Sequence, residues 1–484
     1  MDAIGAFRRA VHRGPNRTFA FDPETSITYA EADERSDAVA GAFVEAGLEP
    51  GQTVGLSSPD GVGQLIAILG AWKAGLLPGL IDARTADEDL PHLVQDVGAP
   101  LVLAAPEQHD RLRGAGAVAV VDVDTFGRGT AGGNPDRHGP QAPLFLSYTS
   151  GTTGAPKGAI LLSGPVALGT ACIADRLGIL RDDVLLATTP TPSSFQLVAA
   201  LLPAIHVGAC IGLVAGGSTD RIWAIARERG ATVLVAYPLT LADVVNAPQA
   251  FEGASPFRLA LSGGSPLAPR IKRDYVERLG IPLLESYGQS ELGGFMALGS
   301  RADGERSLAG FVGRPLPDRV AFVGGPDGRE LPAGEVGEVL VPSGYFDRYR
   351  NLPEATARAL EGGALHCGDL GIADADGYLK VLGRTREAAA AERRGGFLRE
   401  LEDSFYEHED VRHAAVVERT SDDAVVAFVE LRDDRRVSED ELASFASAKV
   451  PEGLRPVATT VLDRMPRTFS GKANRLRLAT EARP

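Results

Sequence analysis

Lysine is scarce in this chain of 484 residues, which has 49 basic residues but only six lysines. Arginine supplies the other positive charges, so charge alone does not explain a lysine at a given position. An ammonium group is more compact, more strongly hydrated and more easily deprotonated than a guanidinium group. Two of the six lysines, Lys157 and Lys472, fall within the motifs described below, which suggests that an ammonium is specifically needed there.

The chain also lacks an excess of positive charge, since its formal net charge is -15. A nucleic-acid partner would require a basic face, so this composition argues against one. The three cysteines, Cys172, Cys210 and Cys367, lie far apart and match neither a metal-binding spacing nor a disulfide framework. Such cysteine usage fits the reducing cytoplasm.

Long uninterrupted apolar runs are missing as well. The longest apolar stretch, residues 197–214, is interrupted by Pro203, His206 and Gly208 and falls short of the ~20 residues of a membrane span. We predict a buried helix followed by a strand there. The N-terminal residues 1–14 show no apolar core of a signal peptide, so we expect a cytoplasmic protein without a membrane anchor.

What is present is the composition of a soluble globular protein, with 44% hydrophobic and 23% charged residues. The chain is too long for one core, because single cores stop growing near ~250–300 residues. Short β-rich runs alternate with amphipathic runs, which predicts parallel α/β layers. We therefore expect an α/β fold: a large N-terminal domain, residues 1–385, that ends in a small β subdomain, and a smaller α/β domain, residues 386–484.

The strongest local motif is SYTSGTTGAPKGA, residues 147–159, which follows an apolar strand candidate. Its hydroxyls can donate to phosphate oxygens, and its glycines let successive backbone N–H groups form an anion-binding nest. A surface turn rich in serine, threonine and glycine is the alternative interpretation. The motif is not a Walker A loop, in which Lys is followed directly by Ser or Thr. Its candidate phosphate-binding residues are Thr149, Ser150, Gly151, Thr152, Thr153, Gly154 and Lys157.

This stretch resembles the signature loop of the adenylate-forming superfamily, which includes acyl-CoA synthetases, adenylation domains of peptide synthetases and beetle luciferases. The resemblance runs from about residue 27 to about residue 475 and is closest to acyl- and aryl-CoA synthetases. It implies that the loop binds the β- and γ-phosphates of ATP.

ESYGQSELGG, residues 285–294, resembles a second element of that family. The resemblance implies that Tyr287 stacks on adenine beside Gly288. It also implies that Ser290 contacts the α-phosphate and that Glu291 binds Mg²⁺. One carboxylate suffices, because Mg²⁺ binds readily to one carboxylate plus phosphate oxygens.

Three further stretches resemble the family's remaining elements. HCGDLGIADADGYLKVLGR, residues 366–384, implies that Asp369 and Arg384 bind the ribose hydroxyls. PRTFSGKANR, residues 466–475, implies that Lys472 bridges the substrate carboxylate and the α-phosphate, where a cation lowers the barrier electrostatically. LSGGSPLAPR, residues 261–270, implies a lining for the adenine and acyl sites from Gly263, Gly264 and Ser265. Taken singly, a turn aspartate and an exposed C-terminal lysine would be the simpler interpretations.

Together these elements imply that a carboxylic acid and ATP form an acyl-adenylate and pyrophosphate. Positioning and electrostatics dominate such chemistry, so no nucleophilic side chain is needed. In the family, the small domain then rotates about a hinge, which matches Arg386, and a thiol takes the acyl group. CoA and the thiol of a carrier protein are the two candidate acceptors, and the sequence contains no indication of an oligomeric state.

The acid itself is indicated by PTPSSFQLV, residues 190–198. Relatives that activate amino acids usually carry an aspartate there, and this stretch has no acidic residue. Ser193 and Pro192 replace the histidine and aromatic residue of many acyl- and aryl-CoA ligases, which suggests an enlarged pocket. With Ser194, Tyr237 and Gly293 as further lining residues, we predict a bulky, largely apolar, non-amino carboxylic acid.

The segment REAAAAERRGGFLRELE, residues 386–402, departs most from the family. Four alanines, Ala388 to Ala391, replace the larger residues of a loop that lines the thiol path, and they favour a helix. We therefore predict robust adenylation, with thioester formation that is weak, uses an unusual acceptor or depends on a partner protein.

Two alternatives to a CoA synthetase stay open at this point. One is an enzyme that loads a separate carrier protein. The other is a pseudoenzyme that binds nucleotide without turnover, although Lys157, Glu291, Asp369 and Lys472 are all present. Acid-dependent ATP–pyrophosphate exchange distinguishes an enzyme from a pseudoenzyme.

Overall fold

The structure is a computed structural model that describes residues 2–59, 61–130, 137–148, 156–317, 321–325, 327–342, 346–468 and 471–482. Its described strands form four β-sheets. No helix in these ranges is both long enough and apolar enough to cross a membrane.

The largest sheet has nine strands within the described residues, and its six central strands run parallel. Antiparallel strands complete both edges. In spatial order the strands are Arg314–Pro315, Gly294–Leu298, Leu283–Gln289, Leu259–Ser262, Val233–Ala236, Val184–Ala187, Cys210–Leu213, Thr18–Phe21 and Ser26–Thr28.

A second sheet has seven described strands, five of them parallel and two antiparallel at one edge. Helix Val62–Lys73 is buried along almost its whole length, as expected for a layer that covers a parallel sheet. In spatial order the strands are Phe346–Tyr349, Gly158–Leu162, Pro143–Tyr148, Leu77–Leu80, Thr53–Ser57, Val102–Ala104 and Val120–Asp122.

The two smaller sheets confirm the expected β subdomain and C-terminal α/β domain. The β subdomain is an antiparallel sheet of Phe322–Gly324, Gly337–Pro342, Ala364–Ala373 and Leu379–Arg384. The C-terminal sheet contains Val411–Glu418, Val425–Leu431 and Ala458–Leu462.

Helices connect and cover these sheets. The α-helical segments are Ala3–Arg13, Tyr29–Glu45, Val62–Lys73, Leu90–Val97, His109–Gly114, Ser163–Leu177, Ser194–Gln196, Leu202–Val207, Thr219–Arg229, Pro238–Asn246, Pro269–Asp274, Glu305–Leu308, Pro353–Ala359, Ala388–Arg394, Leu398–Tyr406, Glu439–Ser447 and Arg475–Glu481. Two π-helical turns are Leu197–Leu201 and Tyr275–Leu279. Short 3₁₀ turns are Pro106–Gln108, Pro248–Phe251, Ser290–Leu292, Glu361–Gly363, Thr385–Glu387 and Glu452–Leu454.

The apolar stretch of residues 197–214 forms the predicted buried helix and strand. The π-turn Leu197–Leu201 continues into helix Leu202–Val207, and strand Cys210–Leu213 follows. Gly208 ends the helix with a φ of +83°, a conformation that favours glycine.

The alanine run forms helix Ala388–Arg394, as predicted from its helix propensity. Gly395 ends this helix with a φ of +75°, and the backbone N–H of Gly396 donates to the carbonyl of Ala391 at 3.0 Å. Such a left-handed cap satisfies carbonyls at the end of a helix. Residues 386–397 are therefore an ordered turn and helix rather than a linker.

Three neighbouring parallel strands are joined at their N-terminal ends by a buried carboxylate. Asp183, only 4% exposed, accepts hydrogen bonds from Thr232 Oγ1 at 2.7 Å and from Arg258 Nε at 2.8 Å. Burial alone would raise the pKa of Asp183, but the bonds from Arg258, Leu180 and Thr232 outweigh burial and lower it. This network stabilises the sheet at the N-terminal ends of these strands. The candidate site described below lies at their C-terminal ends.

We expect Asp183→Asn to lower the free energy of unfolding by about 2 kcal/mol at pH 7, because it leaves the partly buried Arg258 without its counter-charge. Since the pKa of Asp183 is lowered in the folded state, its stabilisation is complete above the unfolded carboxyl pKa. It is lost as the pH falls through the folded value. Urea unfolding of both proteins at neutral and acidic pH measures this difference.

The neighbouring Asp182 provides the control. Its side chain is 89% exposed and pairs with Arg17 at 2.9 Å. Asp182→Asn should change stability by less than about 1 kcal/mol, because exposed ion pairs contribute little. Equal effects of the two variants would contradict the structural role of Asp183.

Candidate active site

The candidate site lies at the C-terminal ends of the parallel strands in the nine-stranded sheet. Ser193, Tyr237 and Gly263 all follow such strand ends. Open α/β sheets bind ligands at this edge.

Asp369 joins the β subdomain to this sheet. Strand pairing sets Asp369 opposite Arg384, whose Nη1 lies 3.1 Å from Asp369 Oδ1. On the other oxygen, the hydroxyl of Tyr287 donates at 2.6 Å and Gln289 Nε2 donates at 2.7 Å. The carboxylate is only 5% exposed, so these hydrogen bonds compensate a buried charge. The structure thus brings together three residues that the sequence predicted for one nucleotide site.

Gln289 is a residue of this cluster that the sequence did not single out. Its side-chain amide donates to the carbonyl of Cys367 at 2.6 Å as well as to Asp369. It lies within the quoted motif ESYGQSELGG, but a glutamine has no charge that would mark it as functional. Burial and the nearby Cys367 and Asp369 raise the pKa of Tyr287, which keeps its phenol protonated as a donor.

Glu291 and Lys157 both contact Tyr349, a second residue that the sequence analysis did not single out. The Tyr349 hydroxyl donates to Glu291 Oε1 at 2.6 Å, and Lys157 Nζ lies 5.1 Å from the centre of the Tyr349 ring. Tyr349 belongs to strand Phe346–Tyr349, which pairs with Gly158–Leu162. This edge strand brings the phosphate-loop lysine and the predicted magnesium ligand to one side chain.

Most of the predicted phosphate loop lies outside the described residues. This applies to Thr149, Ser150, Gly151, Thr152, Thr153 and Gly154. The flanking strands Pro143–Tyr148 and Gly158–Leu162 pair antiparallel, with Tyr148 opposite Gly158. The role of this loop stays a prediction.

Lys472 of the C-terminal domain lies directly against the N-terminal domain. Its Nζ is 5.1 Å from the centre of the Tyr237 ring, within the range of a cation–π contact. Gly264, at a φ of +75°, permits this approach: a Cβ there would lie 2.6 Å from Tyr237 Cε1 and 3.3 Å from Lys472 Cε. Burial, and secondarily the charge of Arg384, lower the pKa of Lys472 to about 8.

Aromatic rings form a wall beside this lysine. Phe195 stacks on Tyr237 with ring centres 5.6 Å apart and contacts Phe295 at 5.8 Å. The hydroxyls of Ser193 and Tyr237 share a hydrogen bond of 2.6 Å, so the predicted pocket residue Ser193 fixes the Tyr237 ring.

The remaining predicted residues have packing roles that the structure makes visible. Ser194 Oγ lies 3.4 Å from Ser290 Oγ. A Cβ at Gly288 would lie 1.9 Å from a backbone oxygen, and a Cβ at Gly293 would lie 2.6 Å from Val166 Cγ2. Both glycines are therefore required for close packing, and their roles toward a ligand stay predictions, as does that of Ser265.

The residues present fit a magnesium ion bound mainly by phosphate. Among the described residues, no group of three or more histidine, cysteine, aspartate or glutamate side chains could hold a metal. The buried carboxylate of Glu291 offers the single hard oxygen ligand that Mg²⁺ needs when phosphates and water complete its shell.

Sequence comparison agrees with this geometry. The profile of AMP-binding enzymes matches residues 7–345, and the profile of the AMP-binding enzyme C-terminal domain matches residues 400–472. The chain belongs to the family of AMP-binding enzymes. The resemblance to the adenylate-forming superfamily is thus confirmed, and the CoA ligases described next confirm the assignment as an enzyme of the AMP-forming acid–thiol ligase type.

The matches to similar proteins cover nearly all of this AMP-binding enzyme. It is 26% identical to a feruloyl-CoA synthase from Amycolatopsis over 96% of each chain. It is 28% identical to an indoleacetate–CoA ligase from Aromatoleum aromaticum, over 95% of this chain and 94% of the other. The structure of ATP-bound MatB from Rhodopseudomonas palustris superposes with a TM-score of 0.87 at 25% identity, covering 99% of this chain and 98% of that one.

The lowered pKa of Lys472 can be measured directly. We expect its reactivity toward trace acetic anhydride to rise with a midpoint near pH 8, because burial favours the neutral amine. An ordinary lysine titrates near ~10.4. Peptide mass spectrometry resolves each of the six lysines, so one pH series gives the whole profile.

Arg384→Gln separates the two causes of this shift. Burial is the larger cause, so the variant should raise the midpoint of Lys472 only part of the way toward an ordinary lysine. A midpoint at the ordinary lysine value in the unmodified protein would show that Lys472 does not dock against Tyr237.

Proposed function

We propose that this enzyme activates a bulky, largely apolar, non-amino carboxylic acid, best represented by aryl acids. In the first step the acid and ATP form an acyl-adenylate and pyrophosphate. In the second step CoA attacks the acyl carbon, and acyl-CoA, AMP and a proton result. The observation that carries this proposal is the position of Lys472, which docks at Tyr237 and Gly264, near enough to Arg384 for their charges to interact.

The nucleotide is held by the cluster around Asp369. Asp369 and Arg384 bind the ribose hydroxyls, and the ring of Tyr287 lies against adenine. Lys157 binds phosphate oxygens, and Glu291 holds Mg²⁺, which neutralises phosphate charge when bound. The shared contact of Lys157 and Glu291 with Tyr349 supports this division, because it brings a cation and a metal ligand to the same end of the site.

The acid lies beside the aromatic wall. Phe195, Tyr237 and Phe295 offer flat apolar surfaces that match an aryl ring. Residues 190–198 contain no acidic side chain that could bind an α-ammonium group. An amino acid would therefore bring its charge next to an apolar wall without compensation, which is unfavourable.

Lys472 stabilises the transition state of the first step. Two anions, the carboxylate and the α-phosphate, must approach each other, and negative charge builds on the phosphoryl oxygens. A cation fixed beside both lowers this barrier electrostatically. Its lowered pKa of about 8 means that the required ammonium form is progressively lost as the pH rises above that value.

ATP–pyrophosphate exchange with a panel of acids tests the first step. We expect exchange with ferulate, indoleacetate and benzoate, and much less with acetate or L-phenylalanine, for lack of aromatic contact or because of the ammonium charge. Lys472→Ala should slow exchange by about 10²- to 10³-fold, the usual cost of removing an electrostatic stabiliser.

Absence of exchange with every acid would favour a nucleotide-binding pseudoenzyme. Exchange that is unchanged in Lys472→Ala would contradict the role of the lysine. Adenylate formation that proceeds to a carrier-protein thioester but never to acyl-CoA would identify a carrier-loading enzyme instead.

The second step is the slower one because residues 388–394 are helical. In the family this region lines the thiol path after the C-terminal domain rotates about the hinge assigned to Arg386. A capped helix here must rearrange before it can serve as such a loop, and its alanines stabilise it against that change.

We expect the double variant Ala388→Gly and Ala389→Gly to speed thioester formation. Both positions are exposed, and each glycine weakens the helix by about 1 kcal/mol. Single-turnover mixing of preformed adenylate with CoA, followed by chromatography of acyl-CoA, measures this step without the first.

Ala443→Gly in helix Glu439–Ser447 of the same domain is the matched control and should leave the rate unchanged. If the unmodified enzyme forms acyl-CoA from adenylate as fast as it forms adenylate, the helix does not limit the second step.

A further inference from the structure

The segment that carries Lys472 docks on one helix of the N-terminal domain at two separate points. An isolated β-bridge between Arg467 and Ala473 closes this segment into a tight turn, and Thr468 N donates to the carbonyl of Lys472 at 2.7 Å. The partner is helix Pro238–Asn246, which Tyr237 precedes as its N-terminal cap residue.

The first contact is between Lys472 and the ring of Tyr237. This ring is fixed on two sides, since Phe195 stacks on one face and Ser193 binds its hydroxyl. The stacked ring and the hydrogen bond leave Tyr237 little freedom, so the ammonium rests on a rigid surface. Gly264 keeps that surface open.

The second contact is a partly buried charge network further along the helix. Asp243 Oδ2 accepts a hydrogen bond from Arg467 Nη2 at 2.6 Å, and Asp243 Oδ1 lies 2.7 Å from Nε2 of the fully buried His413. His413 lies on strand Val411–Glu418, so both partners of Asp243 belong to the C-terminal domain. Burial would raise the pKa of Asp243, but His413 and Arg467 outweigh it and lower that pKa.

Asp243 has no evident substitute in this network. Within the described residues, Arg467 Nε and His413 Nδ1 are buried without a hydrogen-bond partner. The carboxylate therefore supplies the counter-charge of a partly buried guanidinium.

We propose that Tyr237 and Asp243 are positioning residues for Lys472. They lie six residues apart, about 9 Å along a helix. Arg467 and Lys472 lie on either side of the same tight turn, so anchoring the turn at Asp243 sets where the ammonium rests on Tyr237. Two anchors fix both the location and the direction of the turn, which a single contact cannot do.

This inference rests on the proposed role of Lys472 and has a consequence of its own. The two anchors act only while the C-terminal domain presents Lys472 to the site. Asp243, which is not part of the proposed acid site, should therefore matter for adenylate formation and not for the attack of the thiol, which in the family follows rotation of that domain. A residue that merely stabilises the fold would affect both steps alike.

Chemical labelling of Lys472 tests, without any substrate, whether Tyr237 and Asp243 hold this lysine in place. We expect Asp243→Asn to move the midpoint of the Lys472 acetylation profile upward, from near pH 8 toward the value of an ordinary lysine, because loss of the anchor returns the ammonium to water. Tyr237→Leu should do the same, whereas Tyr237→Phe keeps the ring and its stacking on Phe195 and loses only the hydrogen bond to Ser193, so its effect should be smaller. The exposed Lys449 serves as the internal reference in each sample.

Glu407→Gln is the matched control variant. Glu407 pairs with Arg273 across the same two domains but away from the Lys472 turn. This variant should leave the labelling of Lys472 unchanged. It therefore distinguishes loss of the contacts around Lys472 from a general weakening of the interface between the domains.

The rates of the two half-reactions are the second measurement, made with the acid that gives the fastest ATP–pyrophosphate exchange. Asp243→Asn and Tyr237→Leu should slow adenylate formation by about 10- to 100-fold, since small misplacements of catalytic groups have effects of this size. In Asp243→Asn, thioester formation from the chemically synthesised adenylate should stay within about twofold, a difference below ~0.5 kcal/mol. Tyr237→Leu is compared in the first half-reaction only, because Tyr237 also lines the proposed acid site.

Equal slowing of both half-reactions in Asp243→Asn, or a Lys472 labelling profile that does not change in Asp243→Asn, would overturn the positioning role. Failure of the proposed function looks different. In that case the unmodified enzyme catalyses neither half-reaction, while labelling of Lys472 still responds to Asp243→Asn and Tyr237→Leu.

Discussion

The buried carboxylate of Asp369 is the interaction on which the arrangement of the site depends. It receives donors from a strand of the nine-stranded sheet, through Tyr287 and Gln289, and from the last residue of the β subdomain, Arg384. A buried charge is tolerated only when its oxygens are satisfied, so the two layers must keep their relative position. Arg384 directly precedes the connection to the C-terminal domain. The same ion pair therefore also fixes the position at which that connection leaves the β subdomain.

Much of this could be predicted because the informative residues are local in sequence. The alternation of apolar and amphipathic runs predicted the α/β layers, and four consecutive alanines predicted helix Ala388–Arg394. Tyr287, Asp369 and Arg384 each lie within a short motif, and strand pairing then sets two of them opposite each other. Local propensity and motif spacing are the properties that a single sequence expresses most directly.

Gln289, Tyr349, Asp243 and His413 could not be predicted on the same basis. Gln289 carries no charge, and Tyr349 acts through an edge strand whose pairing with residues 158–162 is a long-range contact. Asp243 and His413 are 170 residues apart, and only the packing of one domain on the other joins them. Polar residues that serve a non-local contact look like ordinary surface residues in sequence, since nothing near them shows that they are buried.

The choice of lysine rather than arginine at position 472 has a physical explanation. Arg384 presents a planar guanidinium to a carboxylate, a geometry that suits a permanent ion pair within one domain. Lys472 instead rests on an aromatic ring as a compact charge, held by dispersion and a cation–π attraction rather than by a salt bridge of its own in the described structure. A contact of that kind is strong enough to orient a catalytic cation and weak enough to be released when a domain moves. The fork of an arginine, bound to a carboxylate at the same position, would hold the turn in place through both half-reactions.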